Sequence, residues 1–146
     1  MSPDTFPSWQ AWAFLSAVFA ALTAIFAKVG VEDINSDLAT LIRTVVVLIS
    51  LSAILYATGQ LSQMGPISTR SWVFLLLSGF GTAASWLCYF RALKLGPATL
   101  VAPIDKLSVV LVALFGVVFL GERPSFNGWL GIILIAAGAV LIVVKR

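Results

Sequence analysis

The sequence contains no histidine and only one cysteine, Cys88, among its 146 residues. Imidazole and thiolate groups are the ligands that most zinc and other transition-metal sites use, and a usual set of them cannot be assembled here. A single thiol also excludes a disulfide bond within the chain. These absences predict a protein without a bound metal ion.

Charged side chains are also scarce, because they make up 10% of the residues while hydrophobic ones make up 60%. The mean hydropathy is +1.06, whereas a soluble domain carries roughly 25% charged residues. This balance predicts a membrane protein that is surrounded by lipid. The net charge of +3 is spread thinly, with no basic cluster of the kind that binds nucleic acid.

Five apolar stretches are long enough for transmembrane helices, since about 20 such residues cross a hydrocarbon core of roughly 30 Å. Short connections with glycine, proline and polar residues separate them. We therefore predict an all-α membrane protein in which residues 1–146 form a single transmembrane domain. The predicted spans run approximately from Trp9 to Gly30, Leu38 to Thr58, Ser71 to Leu95, Ala98 to Leu120 and Phe126 to Val144.

Lysine and arginine residues near the span ends indicate the orientation of the chain. The side that holds the first loop, the third loop and the C-terminus has five of them, and the opposite side has two. Because cytoplasmic loops carry the excess of positive charge, we predict a multi-pass protein of the plasma membrane with its N-terminus outside and its C-terminus inside. The five are Lys28, Arg91, Lys94, Lys145 and Arg146, and the two are Arg70 and Arg123.

Three charged residues, Arg43, Asp105 and Lys106, lie inside predicted spans. At a rise of about 1.5 Å per residue, each lies about 8–12 Å from the cytoplasmic end of its helix. A charge at a helix centre costs about 2.5–3.5 kcal/mol, so each needs a partner, a cavity or the headgroups. Asp105 has a short side chain and most needs a partner, for which Arg43 is the candidate. Two interpretations are open: a fixed Arg43–Asp105 ion pair that pins two helices, or charges that border a solute cavity.

Pro103 directly precedes this charged pair. Proline cannot donate a backbone hydrogen bond, so we predict a kink or a loosened turn in the fourth span at this point. Bent helices beside buried polar groups are typical of transporter binding sites. Neighbouring residues on a helix diverge by about 100°, so Asp105 and Lys106 are expected to serve different neighbours.

The third span carries polar and aromatic side chains on one face. Those at three- and four-residue spacing are Ser78, Thr82, Ser85 and Tyr89. We predict that Ser85, Trp86 and Tyr89 line a cavity together with the charged residues. Gly79 and Gly81 either open that cavity or allow close helix packing, which is the usual role of small residues in membranes.

Sequence motifs of common catalytic sites are absent. The chain has no G-x-S-x-G elbow and no phosphate-binding loop. Together with the lack of histidine and of a metal-ligand cluster, this predicts a protein that is not an enzyme, has no catalytic residues and binds no cofactor.

The last three spans resemble the EamA domain of the drug/metabolite transporter superfamily. The resemblance rests on the turn ALKLGPA at residues 92–98, the LGER end of span four at 120–123 and GIILIAAG at 131–138. The earlier stretch AKVGVEDINSDLATLIRTVVVL is similar to small single-domain members with five spans. The resemblance covers nearly the whole chain and is almost silent about the substrate.

Most members of that family carry two such domains as an inverted repeat around a central cavity. The resemblance therefore implies that this chain is one half of an inverted-repeat transporter of small metabolites or drug-like solutes that works by alternating access. It also implies a homodimer, in which the inverted repeat requires two antiparallel copies. Such a dimer needs insertion in both orientations, which the charge bias of five to two opposes.

Small multidrug resistance proteins, four-span relatives of the family, dimerise through a G-x-x-L-I-x-x-G pattern in their last helix. Here Gly131 and Gly138 match it, and their seven-residue spacing places both on one helix face. We predict that they form the dimer contact. The alternative is packing within one protomer.

Those relatives exchange protons at a glutamate in the first span, but Trp9 to Gly30 contains no acid. Asp105 is the carboxylate inside a predicted span, and it would replace that glutamate in any proton coupling. The positive charges of Arg43, Lys106 and Arg91 could instead meet an anionic or zwitterionic solute. A transporter is the leading hypothesis, and a non-transporting membrane interaction subunit is the alternative.

Overall fold

A computed structural model describes residues 9–63 and 65–144. Within those ranges every long element is a helix, and five helical stretches are long and apolar enough to cross a membrane. This confirms the predicted all-α membrane fold. The helices are α1 (Trp9–Gly30), α2 (Ser36–Ala57), α3 (Thr69–Leu95), α4 (Ala98–Asp105), α5 (Ser108–Phe115) and α6 (Phe126–Val144), with a short 3₁₀ turn at Gln60–Gln63.

The start of α2 is two residues earlier than the hydropathy predicted, because Asn35 caps the helix. The Asn35 side-chain oxygen accepts hydrogen bonds from the amides of Asp37, at 2.8 Å, and Leu38, at 3.2 Å. Such a cap satisfies amide groups that have no partner inside the helix. Its polar residues then belong to the helix although they are not apolar. The helix therefore begins two residues before Leu38, the approximate start of the predicted apolar span.

The fourth span is not one continuous α-helix. α4 ends at Asp105, α5 begins at Ser108, and Gly116–Leu120 forms a π-helical turn before Gly121. At the first interruption the amide of Leu107 donates to the carbonyl of Ile104 at 3.0 Å, a spacing of three residues where an α-helix has four. The sequence predicted a kink or a loosened turn at Pro103. The structure keeps Pro103 inside α4 and interrupts the α-helix after Asp105, two residues further along the chain.

The π-helical turn ends at Gly121, where the backbone adopts a left-handed conformation. This residue has φ of +68°, a left-handed conformation that glycine adopts without the strain of a side chain. The reversal lets the amide of Glu122 donate to the carbonyl of Gly116 at 3.0 Å. The Glu122 side chain folds back in the same direction, and a Cβ atom added at Gly116 would lie 2.7 Å from its Oε2 atom. The span therefore closes with an acidic side chain over its last turn.

The chain divides into two compact units. The hairpin unit, Ala27–Leu95, holds the end of α1, α2 and α3, and α2 packs against α3. The terminal unit, Met1–Phe26 with Gly96–Arg146, holds most of α1 and all of α4 to α6, and α6 packs against α4 and α5. The prediction of one domain over residues 1–146 stays a prediction.

Candidate functional site

Arg43 lies over an aromatic surface in the hairpin unit. Its guanidinium carbon lies 4.0 Å from the centroid of the Trp86 ring and 5.5 Å from that of Phe90. Both distances fall within the range of about 6 Å in which a cation is attracted to the face of an aromatic ring. Arg43 is half-buried and Phe90 is buried. The membrane-spanning part of this unit therefore holds a cation against apolar rings.

Antiparallel helices place these groups at matching depth. Arg43 is seven residues after the start of α2, and Trp86 is nine residues before the end of α3. Two consecutive helices that pack side by side in opposite directions bring such positions to one level. The same reasoning from the sequence could have paired Arg43 with Trp86. The candidate residues were predicted together, but the aromatic contact was missed.

Ser85 and Tyr89, the other predicted residues of α3, lie beside Trp86 in the chain. The ring of Tyr89 meets that of Phe90 edge to face, with 6.5 Å between centroids, and Phe90 is one of the two rings beside Arg43. Ser85 is exposed. Further along the predicted polar stripe, the Thr82 hydroxyl donates to the carbonyl of Ser78 at 2.9 Å within the helix itself. The structure thus gathers Arg43, Trp86 and Tyr89.

A second group of charges lies where α1 and α3 end and α2 begins. Arg91 donates through Nε and Nη2 to both carboxylate oxygens of Asp37, at 2.9 and 2.8 Å. Lys28 donates to the carbonyl of Leu93 at 2.8 Å, and Lys94 donates to the carbonyl of Ile34. We call Lys28, Asp37, Arg91 and Lys94 the end cluster. Along α2 it lies about 9 Å from Arg43, because Arg43 is six positions after Asp37 and each position adds about 1.5 Å.

The end cluster was not predicted as a unit, although its residues were visible in the sequence. Lys28 and Lys94 entered the prediction only as indicators of orientation. Arg91 entered it also as a cation that could meet a solute, and Asp37 was placed outside the span. The useful signal was an acid at the start of one helix and a cation near the end of the next, which antiparallel packing brings together. The structure shows that these cations also tie helix ends.

Asp105 and Lys106 pair with each other in the terminal unit. Lys106 Nζ lies 3.3 Å from Asp105 Oδ2. The expectation that they serve different neighbours was wrong, because a long lysine side chain can fold back beside a helix that is interrupted at this residue. Arg43 lies in the other unit, so its predicted pairing with Asp105 stays a prediction.

Gly131 and Gly138 lie on one side of α6, and nothing described in the chain comes within 4 Å of a Cβ atom added at either. The opposite side of α6 borders an apolar cavity of about 530 Å³. Its lining residues are Val110, Trp129, Ile132, Ile133, Ala136, Ala137, Val140 and Leu141. Their chemistry suits hydrocarbon and offers no group that could hold a polar solute. The role of the two glycines in a dimer stays a prediction.

Metal ligands are not clustered in the part of the chain that the structure describes. No group of three or more His, Cys, Asp or Glu side chains there could hold a metal ion. Whether the protein works without a metal stays a prediction.

The fold and the half-buried Arg43 define a multi-pass α-helical membrane protein with a charged side chain inside one of its spans. The model of the EamA-like transporter family matches residues 7–144, so the chain belongs to that family of membrane transporters. This confirms the resemblance found in the sequence. No solved structure matches the chain.

Three relatives show how the match is distributed. A Sinorhizobium protein described as an uncharacterized transporter in the cobO 3′ region is 64% identical over 137 residues, which cover 94% of this chain and 97% of that protein. The uncharacterized transporter YxxF of Bacillus subtilis is 26% identical over 136 residues, 92% of this chain and 42% of that protein. Human magnesium transporter NIPA3 is 40% identical over 73 residues, 50% of this chain and 17% of that protein.

Proposed function

We propose that this chain forms a dimeric transporter that moves small metabolites or drug-like solutes by alternating access across the plasma membrane. The observation that carries the proposal is the half-buried Arg43 on the ring of Trp86. A charge inside a span is costly, and transporters hold such groups where they meet a substrate or a coupling ion. Family membership gives the class of protein, and the contact of Arg43 with Trp86 supports our proposal that a solute binds there.

A dimer is proposed because the match to longer relatives is partial. This chain aligns with 42% of the length of the Bacillus transporter. Two copies together would supply about as many spans as a ten-span, inverted-repeat member of the family carries. The face with Gly131 and Gly138 supports a contact there, since no described part of the chain packs closely against it.

Asp105 is the proposed coupling residue. It is a partly buried carboxylate beside the interruption of the fourth span, and its ion-pair partner Lys106 is its neighbour in the chain. A carboxylate in a membrane span can carry a proton across when the helix around it changes its access. The loosened backbone at Lys106 offers a place for such a change.

The transport proposal is tested in proteoliposomes that contain the purified protein. Labelled amino acids, organic acids and organic cations are supplied outside, with and without a pH gradient, and uptake is compared with that of empty liposomes. We expect uptake of at least one class, and we expect Arg43→Gln to reduce it while the amount of folded protein is unchanged. Absence of uptake for all three classes by a folded, reconstituted protein would support the interaction-subunit alternative.

That alternative has a supporting observation of its own. In the end cluster, Lys28 and Lys94 bind backbone carbonyls and Arg91 binds Asp37, so several charges of the hairpin unit act in holding helices together. A non-transporting subunit would need only such structural charges. Arg43 separates the two readings because its contact is with aromatic faces.

The orientation of the termini tests the proposed topology, which has the N-terminus outside and the C-terminus inside. Single cysteines are placed by Ser2→Cys or Arg146→Cys in a Cys88→Ser background and treated in cells with a membrane-impermeant thiol reagent. Labelling of the N-terminal cysteine alone supports the proposed orientation and requires an oppositely oriented partner for an inverted repeat. Labelling of both cysteines would instead establish dual topology and an antiparallel homodimer of this chain.

A further inference from the structure

We propose that Arg43, lying against Trp86, is a binding subsite for a singly charged oxyanion, the carboxylate of the transported solute. The proposal deepens the transport function and rests on it, since it assigns a substrate class to the same residues. The first supporting observation concerns the hydrogen bonds of the guanidinium group. Among the described residues of the hairpin unit, none of the ion pairs or side-chain hydrogen bonds involves Arg43.

The contact with Trp86 uses none of the hydrogen-bond donors of Arg43. A guanidinium group has five N–H donors around the rim of a plane. The Trp86 ring, 4.0 Å from the guanidinium carbon, attracts the charge but has no acceptor for those donors. A carboxylate matches the rim because its two oxygens accept two parallel N–H bonds. Arg43 therefore offers a carboxylate a matching pair of donors beside an aromatic ring.

The number of charges nearby favours a singly charged ligand. The other cations at this end of the hairpin unit, Lys28, Arg91 and Lys94, belong to the end cluster, about 9 Å along α2 from the level of Arg43. At its own level among the described residues of the hairpin unit, Arg43 supplies one positive charge, which neutralises one negative charge. A doubly charged phosphate monoester would keep an excess negative charge inside the span, which is costly. A carboxylate would leave none.

The depth of Arg43 favours a solute over a lipid headgroup. The end cluster marks the polar end of α2 and α3, and Arg43 lies about 9 Å beyond Asp37 along the helix. A phosphodiester of a lipid remains at the level of the headgroups, whereas a small solute in a transport pathway must pass this level. Phe90 and Trp86 also offer apolar surface to the rest of such a solute.

The test uses benzoate as the probe and benzamide as its uncharged isostere. The purified full chain in an uncharged detergent is titrated with each at pH 8 and constant ionic strength, and affinity is taken from the shift of the thermal unfolding midpoint. We expect benzoate to bind more tightly than benzamide. We also expect it to bind more tightly than phenyl phosphate, which is mostly doubly charged at this pH because its second pKa is about 6.

Variants assign the binding to one residue. Arg43→Gln should weaken benzoate binding about 10- to 100-fold, since hydrogen bonds to charged groups contribute about 1.5–3 kcal/mol. Arg43→Lys should recover part of that loss because it keeps the charge. Arg70→Gln is the matched control, since Arg70 also lies over a ring, 5.9 Å from the centroid of Phe74. Equal benzoate affinity in the wild type and Arg43→Gln, or equal affinity for benzoate and benzamide, would overturn the proposal.

Two further measurements separate this proposal from its rivals. Phosphatidylglycerol added to the micelles should not displace benzoate, and displacement would show that a lipid is the occupant. Asp105→Asn should leave benzoate affinity unchanged, whereas tighter binding would show that Arg43 is neutralised by that carboxylate. A measurement of solute flux distinguishes the two proposals. Selective benzoate binding without transport contradicts only the transport function. Flux that is equal for charged and uncharged solutes, and unchanged by Arg43→Gln, contradicts only the oxyanion site.

Discussion

The hairpin unit and the terminal unit both contain helices that are apolar enough to cross a membrane, but they are held together in different ways. In the hairpin unit, directional contacts join residues far apart in sequence: Asp37 and Arg91 are 54 residues apart, and Lys28 and Leu93 are 65 apart. In the terminal unit the ion pair is between chain neighbours, Asp105 and Lys106. There the backbone itself is irregular, with an interrupted helix and a π-helical turn.

This difference indicates which unit can change its conformation more easily. Lipid tails are as apolar as leucine, so helices in a membrane are held by close packing and hydrogen bonds. Four hydrogen bonds hold one end of the hairpin unit: two join α2 to α3, one joins α1 to α3, and one joins α3 to the loop before α2, so its helices resist separation. A span with two weakened points can bend there with less loss, because fewer of its backbone bonds are in regular α-helical geometry. We therefore expect the hairpin unit to bind solute and the terminal unit to change shape.

The largest expected effect separates these two roles in transport kinetics. Arg43→Gln should raise the half-saturation concentration for an anionic solute about 10-fold or more, because it removes a binding group. Asp105→Asn should leave that concentration nearly unchanged and abolish accumulation driven by a pH gradient. Both are measured as initial uptake in proteoliposomes. The assignment of roles would be reversed if Arg43→Gln changed only the accumulation driven by a pH gradient and Asp105→Asn changed only the half-saturation concentration.

The next prediction concerns the outer surface of α6 in the terminal unit. Gly131→Leu combined with Gly138→Leu should convert the dimer to monomer, because branched side chains prevent the close approach of two helices. Ala136→Leu is the matched control, since residue 136 lies about 140° around the helix from residue 131. Oligomeric state is measured by light scattering in detergent. A dimer that survives the double substitution would place the contact elsewhere.

A smaller effect is expected from the irregular backbone of the fourth span. Gly121→Ala should lower the free energy of unfolding by about 1–2 kcal/mol, because its φ of +68° strains any residue with a Cβ atom. Gly79→Ala is the control in the hairpin unit, where nothing lies within 4 Å of the added atom and the helix favours alanine. Both are measured by unfolding in mixed micelles. An equal change in the free energy of unfolding at the two positions would mean that the backbone of the terminal unit is no more sensitive to an added Cβ atom than that of the hairpin unit.

The smallest effect should come from the partly exposed ion pair of the end cluster. The side chains of Arg91 and Asp37 are 59% and 44% exposed, so solvent and salt screen their attraction. Asp37→Asn should lower the thermal midpoint slightly, and the loss should shrink at high salt. Asp105→Asn should lower it less, because that pair ties no distant segments. A larger loss from Asp105→Asn would mean that this residue has a structural partner outside its own helix.

The number and position of the helices could be predicted from the sequence because membrane spans follow from length and hydropathy. Four of the five predicted ends at the C-terminal side agree with the structure, and Thr58 differs by one residue. The start of α2 was missed because a cap depends on a side-chain hydrogen bond and not on hydropathy. The interruption after Asp105 was not located because the prediction placed the loosened turn at Pro103, the residue that lacks an amide hydrogen.

The residues of the candidate site could be predicted from the sequence, but the contacts between them could not. Arg43, Trp86 and Tyr89 stood out as costly or polar groups inside spans, and the structure brings them together. Arg43 was assigned to Asp105 because opposite charges suggest a pair. A cation can also be stabilised by an aromatic face, which carries no formal charge and so gives no such signal in the sequence.

The contact between Lys28 and Leu93 has a consequence for the order in which the protein is made. The two residues are 65 positions apart, and synthesis at 5–20 residues per second separates their appearance by roughly 3 to 13 seconds. During that interval the first helix is present without the carbonyl that Lys28 binds in the finished structure. The contact therefore joins the first and third helices only after nearly all of the hairpin unit has been made.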